Sequence, residues 1–145
     1  MEFFAEIFNN KVLGISIFSC FLAQFVKIFT GKEKAIQFSR IFTSGGMPSS
    51  HSAFVTSLAT LVGIERGFDS TDFAIVMVFA MIVMYDASGV RRAVGKQAAI
   101  LNKILDDIHH GKHIEQNKLK ELIGHSPKEV WFGAAFGIII ALILA

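Results

Sequence analysis

Apolar positions gather along the chain into four runs separated by polar or glycine-rich stretches. The first covers 12–29 and carries Gln24 and Lys27 near its end. The second, 52–64, and the third, 73–85, are short, the third being dense in Val, Ile, Met and Phe. The fourth, 130–145, runs to the last residue. A membrane-spanning helix needs about 20 apolar residues, fewer where one end is sheltered by protein. All four runs therefore read as spans, and the two short ones are completed by polar ends facing a protein-lined cavity. Two flanking segments have a different rhythm. Phe3, Phe4, Ile7 and Phe8 fall on one helical face and predict a short interfacial helix. Val90, Val94, Leu101, Ile104, Leu105 and Ile108 recur at helical spacing, with Arg92 and Lys96 on another face, and predict an amphipathic helix following the third span. The expected fold is all-α: a membrane helical bundle of about four spans plus an amphipathic cytoplasmic helix, with residues 1–145 forming one membrane-embedded domain.

Composition supports this reading. The 145 residues are 52% hydrophobic and 18% charged, where an average soluble domain is about a quarter charged. Fifteen Phe against one Trp and one Tyr favours side chains that need no hydrogen-bond partner in lipid. A net charge of +2 gives no argument for nucleic acid. The single cysteine, Cys20, makes no internal disulfide and reads as a small buried hydrophobe. Glu2 and Glu6 occupy the place of a basic signal-peptide start, so the first run is expected to stay as an anchor.

Charge sets orientation. Twelve of the fourteen Lys and Arg residues lie within 27–40 or 86–129, and only Lys11 and Arg66 lie elsewhere. Basic loops stay in the cytoplasm. The segments after the first and third spans are therefore expected inside, with both termini outside.

Two histidines stand at predicted helix starts on that cytoplasmic side. Ser44-Gly45-Gly46-Met47-Pro48-Ser49-Ser50-His51 directly precedes the second run, and Ser49 or Ser50 can cap it. A helix start offers unpaired amides and a positive dipole end to an anion. Gly124-His125-Ser126-Pro127-Lys128-Glu129 directly precedes the fourth run, where Ser126, Pro127 and Glu129 suit the cap, first and third helical positions. Capping alone accounts for Glu129 but leaves His125 without a reason. The chain's two prolines each lie within three residues of one of these histidines. Two imidazoles, a carboxylate and several cations form a set suited to phosphoryl transfer. One histidine attacks phosphorus while a carboxylate fixes its tautomer. The other protonates the leaving alkoxide, and cations and amides neutralise the equatorial oxygens. No metal or other cofactor is required. Asp86, at the end of the third run, reads either as a site residue paired with Arg91, Arg92 or Lys27, or as a boundary charge at headgroup level. Asp106, Asp107, His109, His110 and His113 read as a solvated loop rather than a metal site, since Gly111 interrupts the helical spacing.

These residues resemble the type 2 phosphatidic acid phosphatase superfamily, which includes acid phosphatases and vanadium-dependent haloperoxidases, and in particular its divergent bacterial and plant branch. The central Pro-Ser-Gly-His motif reads Pro48-Ser49-Ser50-His51 here. The last motif, His then Asp four positions on, reads His125 and Glu129. The string from Asp86 to Ala93, with Lys96-Gln97, matches the divergent branch. The resemblance spans about 24–140. It implies that His125 is the nucleophile forming a phosphohistidine, that Glu129 orients it, and that His51 is the general acid. The substrate-binding set it implies is Lys27, Lys34, Arg40, Ser49, Ser50, Asp86, Arg91, Arg92 and Lys96. Three departures stand out. Lys34 is one residue too close to Arg40, and no Pro follows. Leu119 occupies the place of the Arg six residues before the nucleophile, which leaves Lys118 or Lys120, or in preference Arg91, Arg92 or Lys96, to replace it. About four spans replace the usual six, leaving room for a homo-oligomer to enclose the site.

The expected function is hydrolysis of a phosphomonoester lipid, of the phosphatidylglycerophosphate or phosphatidic acid class, at the cytoplasmic face of a bacterial inner membrane or its organellar equivalent. Its partners are the lipid substrate and the bilayer, with no nucleic acid. Two alternatives remain open: an undecaprenyl-pyrophosphate phosphatase facing outward, and a non-catalytic membrane protein that binds or moves anionic lipid.

Overall fold

A computed structural model of the chain describes residues 2–30, 46–108 and 125–145. All regular structure among these residues is helical: α1 (Glu2–Asn9), α2 (Lys11–Lys27), α3 (Ser50–Arg66), α4 (Thr71–Ser88), α5 (Val90–Ile108) and α6 (Pro127–Leu144). Four helices begin where the sequence supplies a cap. Asn10 accepts from the Leu13 amide at 2.9 Å, Ser49 from Ser52 at 3.4 Å and Ser70 from Phe73 at 3.1 Å. Ser126 and Glu129 form the reciprocal capping box expected of them. Gly67 closes α3 at φ +94°, a conformation that favours glycine. The runs 52–64 and 73–85 looked short because their polar ends lie outside the apolar stretch; folded, they belong to helices of 17 and 18 residues. Gly89 separates α4 from α5.

α3 is the central helix and packs against α2, α4 and α6; α2 also meets α6, and α5 touches only α4 among the described elements. The contact surfaces are made of small residues. α2 buries Ser16, Ser19, Ala23 and Lys27, and α6 buries Gly133, Ala134, Gly137 and Ala141. Hydroxyls bind backbone across the seams: Ser19 Oγ donates to Ala53 O at 3.4 Å and Thr56 Oγ1 to Ala134 O at 3.0 Å. Large apolar side chains point the other way. Phe21, Phe79, Ile82, Trp131 and Ile143 are all more than half exposed. A water-soluble protein buries such residues. Small residues inside and large apolar ones outside are how helices pack in lipid, where association depends on close backbone approach and polar contacts. α6, and the helical stretch that begins with α4, are long and apolar enough to cross a membrane.

Candidate active site

Three helix ends meet at one end of the bundle. The C-terminus of α2 brings Lys27, the N-terminus of α3 brings Ser49, Ser50 and His51, and the start of α6 brings His125 and Glu129. Backbone bonds fix their register. The Ser49 amide donates to Glu129 O at 3.1 Å, and the His125 amide donates to Ala87 O at 3.0 Å at the end of α4. Thr30 Oγ1 donates to Met47 O, tying the residues after α2 to those before α3. Gly46, at φ +87°, allows the turn leading into the cap.

His125 is buried, and its Nδ1 lies 3.3 Å from Glu129 Oε2. The same carboxylate oxygen accepts from the Ser126 amide at 2.9 Å. Glu129 therefore caps α6 and holds the imidazole at once. With the carboxylate ionised, the proton sits on Nδ1 and the Nε2 lone pair is left available. Burial, first, and the neighbouring Lys27 charge push the His125 pKa below the ordinary histidine value; the Glu129 hydrogen bond and charge oppose this, and His51 adds to the lowering. The lowering favours the neutral imidazole, whose Nε2 carries the free lone pair.

Lys27 is only 4% exposed, has no salt bridge within 4 Å among the described residues, and acts electrostatically on both His125 and Glu129. A buried ammonium without a close counter-ion is costly. His51 lies at the open side, exposed, and close enough to His125 to perturb it.

The two serines have structural duties. Ser49 Oγ accepts from the Ser52 amide and from Ser52 Oγ, at 3.0 Å in the latter case, and is fully buried. Ser50, also buried, lies beside Cys20. Asp86, at the end of α4, is adjacent to the residue that holds the His125 amide. Arg91 and Arg92 stand in the first turn of α5. Lys96 is exposed on α5, and no described contact ties it to the cluster. Lys34 and Arg40 lie outside the described residues, as do His109, His110 and His113.

Cys20 was not expected near the site. It lies seven residues before Lys27, two helical turns away on the same side of α2, beside Ser50. The spacing of Ser16, Ala23 and Lys27 already carried this signal, since small residues at helical intervals mark a packed face.

The family described as the Divergent PAP2 family matches residues 8–140. The uncharacterized membrane protein YuiD of Bacillus subtilis (strain 168) is 42% identical, the match covering 97% of this chain and 97% of that protein. No solved structure matches the chain.

Proposed function

This chain belongs to the divergent PAP2 family, and from that premise we propose that it is a lipid-phosphate phosphatase working through a phosphohistidine. One observation carries the reading: a buried His125 held by Glu129 at the start of α6, near the buried Lys27 at the end of α2, with the start of α3 bonded to Glu129 through the Ser49 amide. His125 Nε2 attacks the phosphorus of a phosphomonoester, forming the N–P bond as the ester P–O bond breaks. His51 gives its proton to the departing lipid alkoxide. Water then attacks phosphorus, the N–P bond breaks, and His51 takes the water's proton as inorganic phosphate leaves. Lys27 and the amides of the α3 start stabilise the charge on the equatorial oxygens. Arg91, Arg92, Lys34 and Arg40 supply further positive charge, with Asp86 placed to orient a basic partner.

In this reading α2, α3, α4 and α6 all cross the membrane. Seventeen residues of helix reach about 25 Å, close to the hydrocarbon thickness. α1 and α5 lie at its two surfaces. The distribution of Lys and Arg supports a site facing the cytoplasm, where phosphatidylglycerophosphate and phosphatidic acid are presented.

The test is phosphate release from phosphatidylglycerophosphate, phosphatidic acid and undecaprenyl pyrophosphate by purified protein with chelator present. Wild type should release phosphate from one of the first two, and His125→Ala should fall by at least about 10³-fold. Preference for the pyrophosphate would favour an outward-facing enzyme. No release from any substrate by folded protein would overturn catalysis in favour of anionic-lipid binding.

A further inference from the structure

The distance between nucleophile and anion site is set where α6 crosses α3. Glu129, Gly133, Gly137 and Ala141 follow one another at four-residue intervals along α6. The first two meet the same residue of α3: the Ser49 amide donates to Glu129 O, and Gly133 lies against the Ser49 backbone. A Cβ at Gly133 would overlap Ser49 O and stand 2.9 Å from Ser49 N. Both are main-chain atoms of the cap, so no side-chain rotation could make room. One turn further on, a Cβ at Gly137 would overlap Ala53 O and Thr56 Oγ1 and stand 2.8 Å from Ala53 Cα. The two glycines are sterically alike and differ in what lies opposite. Gly133 faces the residue that starts the anion-binding turn, and Gly137 faces Ala53 and Thr56, one and two turns further along α3.

We infer that Gly133 is a positioning residue for phosphoryl transfer: its missing side chain lets the α3 cap approach α6 closely enough for one phosphate to reach both the helix start and His125. The inference rests on the phosphohistidine reading. A side chain at Gly133 would push Ser49 away from Glu129 and His125, whereas one at Gly137 would wedge the seam below the site. A misplacement of about 1 Å costs on the order of 100-fold in rate.

Wild type, Gly133→Ala and Gly137→Ala are compared in kcat, KM, thermal unfolding and the ¹⁵N shift of the His125 ring on adding orthovanadate, a phosphate mimic. Both variants should lose similar thermal stability. Gly133→Ala should lose about 100-fold in kcat with little change in KM, and its His125 signal should respond weakly to vanadate. Gly137→Ala should keep kcat within about fivefold of wild type and respond normally. Loss of kcat in step with stability in both variants, or full activity in Gly133→Ala, overturns the inference while leaving the phosphatase reading intact. A wild type that turns over no substrate and shows no vanadate response overturns both. Should Gly133→Ala fail to fold, it is repeated with Ser57→Ala, which removes a buried hydroxyl that has no hydrogen-bond partner among the described residues and so should add stability. Failure to fold there too makes Gly133 structural and rejects the inference.

Discussion

The two ends of the helix bundle use the same kinds of residue in opposite ways. At one end Arg66 and Asp72 form an ion pair at 3.8 Å, with 70% and 63% of their side chains exposed, and Lys11 and Glu65 nearby are also exposed. At the other end Lys27 and His125 are almost fully buried, and the carboxylate that answers them, Glu129, is tied to the imidazole and a backbone amide. Exposed pairs are screened by water and contribute about 0–1 kcal/mol. Buried charge costs free energy unless something compensates it, so folding alone would not place Lys27 where it is. The difference teaches where this bundle gives up stability, and a site that does so is a candidate for chemistry.

That contrast can be broken at either end. The largest effect is expected from Glu129→Gln. Gln still accepts from the Ser126 amide, so the α6 cap survives. The same Gln oxygen then also accepts from Nδ1–H, and what is lost is the negative charge that stabilises the imidazole as it becomes positive on attack. By analogy with loss of a triad carboxylate, kcat should fall by about 10³–10⁴-fold, with thermal unfolding barely altered. Collapse of the fold with kcat would instead make Glu129 a cap and nothing more. Next comes Lys27→Met, which keeps volume and removes charge. Steady-state kinetics should show kcat lower by about 10²–10³-fold, while calorimetry should find the melting temperature unchanged or raised. A destabilised Lys27→Met would show that the ammonium serves the fold.

pH sharpens the comparison more finely. Burial and Lys27 hold His125 below the ordinary value of about 6.5, so the acid limb of kcat/KM should lie below pH 6.5. Glu129 raises that pKa, so Glu129→Gln should move the limb to still lower pH in its residual activity. A lowered histidine pKa also means that the unfolded chain takes up the proton first as pH falls. Stability should therefore decline as pH drops through 6.5, down to the folded value. An acid limb above pH 6.5 would contradict the neutral, buried nucleophile. The smallest effect belongs to the exposed end: Arg66→Ala should change stability by less than about 1 kcal/mol and leave kcat untouched. A large loss of activity there would erase the distinction between the two ends.

Much of this was legible before folding. The apolar runs located the helices, Ser49 or Ser50 and Ser126 were legible as helix starts, and the His125-to-Glu129 spacing put both groups at one of those starts. The histidines and the buried lysine were legible as residue types but not as neighbours. Lys27 is 98 residues from His125, and nothing local relates them. By pattern either serine before His51 could cap the helix, and the fold gives the cap to Ser49, whose Oγ accepts from the Ser52 amide.

Helices, caps and lipid-facing surfaces were determined by the sequence alone, because each depends on interactions within a few residues or with the solvent. Which helix starts converge, how closely α6 approaches α3 at Gly133, and which cation is buried beside the imidazole were decided only by the tertiary structure. Those are properties of packing between distant segments, and in lipid such packing is set by the shape of small-residue seams, which a single helix cannot reveal.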